Sequence, residues 1–161
     1  MEKYEVIKQE ILKYPNELEY YPKVTNELIT KAEDALNVKI TGTYKQFLLD
    51  FGFLSFGGLE VFGIPHENIL KQNEDCTNVV VNTLESREEI NLQESLLVIH
   101  NFGNGELYCL DLSSNQPQVV AIWDEQPEND EYPPVTEIIA ETFEDFLEEY
   151  TAMEIEEFDS L

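Results

Sequence analysis

Three apolar runs, SLLVIHN (residues 95–101), ELYCLDL (106–112) and QVVAIW (118–123), follow one another with only FGNG and SSNQP between them. The first and third runs contain the β-branched Val and Ile, the second is a strand-like apolar run with a Tyr and a central Cys, and each linker is turn chemistry, so adjacent runs are expected to pair as antiparallel strands. Asn104-Gly105 suits a two-residue type I′ turn, in which both central residues take positive φ. The same stretch contains glycines that invite comparison with a phosphate loop. That loop needs its glycines between a strand and a helix N-terminus, usually with a lysine, whereas here a second strand-like run follows and no lysine is present. A hairpin accounts for the whole segment.

Helical periodicity dominates the front of the chain. Tyr4, Ile7, Ile11 and Leu12 share a face until Pro15, and Leu28, Ile29, Ala32 and Leu36 form a second stripe between a Thr25 N-cap and Asn37. A third helix from about Thr43 carries Tyr44, Phe47, Leu48 and Phe51 and stops at Gly52. SFGGLEVFGIP then changes period, placing Leu59, Val61 and Gly63 on one side of a short strand and Glu60 and Phe62 on the other. Between Asp75 and Glu89, Val79 to Val81 suit a strand locally, but Val80, Leu84 and Arg87 fit one helical face with Thr77 as a cap, and helix is the reading taken. VTEIIAE supplies a last short strand. Thr142 caps a final helix lined by Phe143, Phe146, Leu147 and Tyr150, and TAMEIEEFDSL beyond it reads as a partly mobile acidic tail. Helices in front, strands in the middle and a helix at the end define an α+β class: one domain, with a central antiparallel sheet of about four to six strands and helices packed around it.

Charge limits what such a domain binds. Nine basic residues stand against 34 acidic ones, and every Lys and Arg lies at or before Arg87. Residues 88–161 carry 20 Asp and Glu and no cation. Phosphate backbones are held by Lys and Arg, so nucleic acid is not an expected partner, whereas a cationic protein surface is the natural complement. A solvated acidic surface that only disfavours aggregation is the competing explanation. The charged N-terminus does not resemble a signal peptide and no long apolar stretch is present, so a cytoplasmic location without membrane contact is expected. Cys76 and Cys109 lack metal-ligand spacing and read as buried free thiols. His66 and His100 stand alone, with no nucleophile beside them in sequence.

Four stretches in this order, TNELITKAEDALNVKITGTYKQFLLDFG, SFGGLEVFGI, NFGNGELYCLDL, and VVAIWDEQPE followed by TFEDFL, resemble the SUKH superfamily, which groups bacterial toxin-immunity proteins with yeast cell-wall-synthesis regulators. The resemblance covers roughly residues 23–150, leaving 1–22 as an N-terminal helix and linker and 151–161 as the tail. It implies a helix-decorated antiparallel sheet, no catalysis and no cofactor, and a role in binding and neutralising a toxin, often a nuclease. It also supports the helix before the hairpin. Members often carry a His soon after the Trp-Asp pair, where this chain has Glu125.

The candidate partner-binding residues are therefore Glu106, Trp123, Asp124, Glu125, Glu128, Asp130 and Glu131, facing a toxin with a basic surface. Trp123 is expected to be at least partly buried as a plug at a strand end; a fully solvent-exposed indole would instead make it an interface anchor. The acidic loop DEQPENDEYPP is ordered only if something holds it, since its prolines exclude it from a central strand or regular helix. Two other readings stand beside this one: a regulatory adaptor for a host protein, and a small hydrolase using paired carboxylates, for which no pair is singled out and no catalytic or metal motif is present.

Overall fold

The computed structural model describes residues 2–160. Among them the chain forms α1 (Lys3–Ile11), a 3-10 turn (Pro15–Glu17), β1 (Leu18–Tyr20), α2 (Asn26–Leu36), α3 (Gly42–Phe51), β2 (Leu54–Phe56), β3 (Leu59–Val61), α4 (Val79–Ile90), β4 (Leu96–Asn101), β5 (Glu106–Asp111), β6 (Gln118–Trp123), β7 (Val135–Ala140) and α5 (Phe143–Asp159). The architecture is α+β with two antiparallel sheets, β1-β2-β3 and β4-β5-β6-β7. None of the described helices is long and apolar enough to cross a membrane.

The four-stranded sheet follows from the three central runs. In β4, β5 and β6 consecutive residues are buried rather than alternate ones, so both faces are covered. Helix α4 packs on β4, where Thr83 Oγ1 accepts the Val98 N–H at 3.0 Å. This bond and the Phe62 N–H donated to the Ile99 carbonyl (2.8 Å) occupy main-chain groups along β4 that would otherwise form an open edge. Helix α5 lies against Tyr108, whose ring meets Phe146 and Tyr150 edge to face. Phe143 of α5 also joins Tyr44 and Phe47 of α3 at centroid separations of 5.1 and 5.2 Å, linking the front helices to the sheet. Fully burying one such ring stabilises by about 1.5–3 kcal/mol, against roughly 0.2–1 kcal/mol for an exposed ion pair, so aromatic packing holds these layers together.

Helix signals are borne out at α2, where Thr25 accepts the Leu28 N–H and Asn37 takes the left-handed conformation, and at α3, which stops at Gly52 with φ 72°. Other expectations are corrected. The cap of α4 is Asn78 rather than Thr77: its buried amide accepts from Val80 and Val81 and donates to the carbonyls of Ile69 and Lys71, using both ends of a side chain that Thr cannot match. The loop between β4 and β5 is a hairpin, but the positive φ angles fall on Gly103 and Gly105, not on Asn104. Asn101 and Asn104 instead accept main-chain N–H groups two residues ahead, of Gly103 and Glu106, a local side-chain bond that favours a four-residue loop over a tight turn. The short strand expected from Leu59 is β3; the residues before it add a second strand, β2, in a hairpin turning at Gly57 and Gly58, and LEY at residues 18–20 pairs with β2. Leu12 lies just past α1 and is 38% exposed rather than part of the buried stripe.

The acidic tail is largely helix. α5 continues to Asp159 because Phe158 packs edge to face on Phe56 (5.2 Å) and against Tyr14 (5.4 Å), and Glu154 accepts the Gly58 N–H at 3.0 Å. The small sheet that supplies these contacts was not recognised as a sheet in the sequence, so the helix had no visible reason to extend. Leu161, the last residue of that expected tail, lies outside the described residues. Of the two thiols, Cys109 is buried and Cys76 is exposed on a residue with φ 58°.

Candidate functional site

The two central hairpins and the antiparallel register bring Glu106 and Trp123 side by side as cross-strand partners at one end of the large sheet. Asp124 stays there because its N–H donates to the Gly105 carbonyl at 2.7 Å, and Glu125 follows. Trp123 is partly buried, as expected, but is not a core plug: it is 48% exposed at the end of β6, whose interior positions 119–122 are the buried ones. Its ring lies near Gly105, where an added Cβ would come within 3.8 Å of it. Phe102 in the same loop is also exposed, as is Tyr132 further along the acidic loop.

The loop from Asp124 to Pro134 has no regular structure, yet it is held at a second point. Asn91, the left-handed C-cap of α4, donates its side-chain amide to the carbonyls of Asp130 (3.0 Å) and Glu131 (3.1 Å). Gln93 donates to the carbonyl of the buried Pro133 at 2.9 Å. Asn129 and Asp130 take left-handed φ angles, and the Glu131 N–H closes a turn on the Glu128 carbonyl. The candidate residues thus fall into two groups: Glu106, Trp123, Asp124 and Glu125 at the sheet end, and Glu128, Asp130 and Glu131 carried on backbone tied to the C-terminus of α4. That helix end contributes further negative potential. Asn91 and Gln93 were missed in sequence because an amide that holds a distant loop resembles any polar linker residue; Asn91 as a C-cap was the available signal.

Charge around this surface is uncompensated. Asp124, Glu125, Glu128, Asp130 and Glu131 are exposed and Glu106 partly so. Among the described residues none of the six joins an ion pair; the pairs there are use Lys3, Lys8, Lys13 and Lys31, and only those of Lys3, with Asp145 and Glu148, reach the cation-free part of the chain. Arg87, the last cation in sequence, donates to the Glu94 carbonyl and not to a carboxylate of the loop.

His100 is buried below the opposite corner of the hairpin. Its Nδ1 lies 2.6 Å from the Glu60 carbonyl and therefore carries the proton it donates, while burial holds the imidazole below its ordinary range. It ties β4 to the small sheet. Among the described residues no group of three or more His, Cys, Asp or Glu is placed to hold a metal ion.

Together these features define an α+β domain built on a helix-wrapped antiparallel sheet, with an acidic, aromatic-containing loop displayed at one end. The family model described as SMI1-KNR4 cell-wall matches residues 26–147, most of the chain, and the protein belongs to that family within the SUKH superfamily. No curated protein matches the chain significantly.

Proposed function

We propose that the protein is a non-enzymatic immunity protein of the cytoplasm that binds a toxin through the acidic end of its large sheet, and that the toxin presents a basic, nuclease-like surface. The observation that carries this reading is the set of six carboxylates, free of ion pairs among the described residues, five on a loop anchored at both ends and Glu106 on the strand beside it, next to a half-exposed tryptophan. An anchored loop loses less conformational entropy on binding, and carboxylates without intramolecular cations are available to a partner's Lys and Arg. Trp123 serves as the apolar anchor that charge alone does not provide. A regulatory adaptor is the second reading, favoured by the cell-wall description of the matching family model.

The test is association kinetics with the toxin domain encoded beside this gene, measured across a salt series. Reversing Asp124, Glu125, Asp130 and Glu131 to Lys is expected to slow association at least about tenfold and to abolish protection of cells, because steering acts on the on-rate. Reversing Glu17, Glu19, Glu27 and Asp34, an equal change in net charge in the N-terminal part of the chain, is expected to do little. Equal effects from the two sets, or an on-rate flat in salt, overturn the proposed surface. A neighbouring gene without toxic activity, with capture of a host regulator abolished by the same loop variant, favours the adaptor.

A further inference from the structure

A second surface, sharing no residue with the acidic loop, lies on the first and last helices. Helices α1 and α5 pack side by side but leave an open groove of ≈ 560 Å³ between them. Its apolar lining is Val6, Ile7, Ala152 and Ile155, with Val6 48% exposed and Ala152 too small to close the gap. Its rim is acidic: Glu10, Glu148, Glu156 and Asp159. The α5 side runs from Glu148 to Asp159, which at 1.5 Å per residue is about 16 Å, or three helical turns. Every residue lining the groove lies outside the family match at 26–147, so this feature is separate from what the chain shares with the family model.

We infer that this groove docks a cationic amphipathic helix of a partner protein, its apolar face on Val6, Ala152 and Ile155 and its Lys or Arg residues along the rim. Charge selects this occupant. From Phe143 to Asp159, α5 carries eight Asp and Glu and no Lys or Arg, and its C-terminal end adds the negative pole of the helix dipole. Lys3 and Lys13 neutralise Glu148 and Glu10 in part, but Glu156 has no ion pair among the described residues. A second copy of a chain of net charge −25 is repelled from such a rim. A helix with apolar residues at i, i+3 or i+4, and i+7 fills a three-turn groove between two helices in the ordinary helix-in-groove mode. This inference is independent of the acidic-loop reading, since the two surfaces share no residue.

The probe is a 14-residue Leu/Lys peptide with its leucines at helical spacing, compared with a peptide of the same composition whose leucines alternate. Fluorescence anisotropy reads binding, and two-dimensional ¹⁵N NMR of the full chain locates it. The expected result is preferential binding of the helical peptide by at least about tenfold, with shifts centred on Val6, Ile7, Ala152 and Ile155. Ala152→Arg combined with Glu156→Lys, both at exposed helix positions, is expected to weaken binding at least about tenfold, whereas Asp124→Lys with Glu125→Lys leaves it within about twofold. No binding, equal binding of the two peptides, or shifts centred on residues 124–131 overturns the proposal. So does a concentration-dependent dimer, seen by sedimentation, that Ala152→Arg disrupts, because the groove then serves self-association. The NMR map decides the matter on the unaltered chain should the double variant fail to fold.

Discussion

Two pairs of glycines mark two kinds of backbone in this molecule. Gly52 and Gly63 meet where α3 ends and β3 runs on towards α4, and a Cβ on either would collide with main chain: that of Gly63 with the Gly52 carbonyl, that of Gly52 with the Tyr21 carbonyl. The same crossing carries the Ile64 N–H to Gly52 bond, the Gly63 N–H to Thr77 bond and the Val79 N–H to Gly63 bond. Gly103 and Gly105 take positive φ, as Gly52 does and Gly63 does not, but they sit in the exposed loop at the acidic end, where the nearest obstacle to a Cβ is the Trp123 ring at 3.8 Å. The first pair is required by packing and the second only by local conformation. Such a division separates a backbone crossing that tolerates no side chain from an exposed loop whose glycines answer only to local conformation.

Substitutions can break that comparison, beginning with the most damaging. Gly63→Ala should destabilise by about 3 kcal/mol or more, because packed main chain must move apart; a denaturant midpoint within error of the wild type would show that the crossing is soft. Gly105→Val should cost about 1–2 kcal/mol through strain at positive φ alone. A loss as large as that of Gly63→Ala would remove the distinction between the two pairs.

Acidification sharpens the comparison at the seam between the two sheets. Because burial holds His100 below its ordinary 6.5, the unfolded chain takes up the proton first. The contribution of His100 is thus fully present above about pH 6.5 and is lost as pH falls towards the folded value. His100→Gln should remove that part of the pH dependence while keeping a donor for the Glu60 carbonyl, as read from thermal midpoints of both proteins between about pH 7 and 5. An identical pH dependence in the two proteins would count against a buried neutral imidazole. The smallest stability effect belongs to Trp123→Ala, expected within about 1 kcal/mol because the ring is half exposed, yet with the largest loss of partner affinity among single changes at the sheet end. A stability loss above about 3 kcal/mol would return Trp123 to the core.

Much of this was legible in local pattern. The central strands, the stripes of α2 and α3, the caps at Thr25 and Thr142 and the stops at Asn37 and Gly52 are all short-range choices, decided by residues within a turn or two of each other. The charge asymmetry is a property of order along the chain and needs no fold to be seen. These features, with the family they resemble, were enough to assign an α+β architecture and to identify the exposed carboxylates of the loop.

What the tertiary structure alone decided was where distant segments meet. The three-residue strand at Leu18–Tyr20 is too short to show a period, and only Leu54 to Phe56 beside it makes it a strand. The last two turns of α5 exist because Phe56 and Tyr14, about a hundred or more positions earlier, give Phe158 a surface to bury. Asn91 and Gln93 anchor a loop some 40 residues ahead, and the groove between α1 and α5 joins opposite ends of the chain. Local sequence sets dihedral preferences and the spacing of apolar residues, but burial is a relation between segments, so which apolar face is covered and which stays open is settled only when the chain closes on itself.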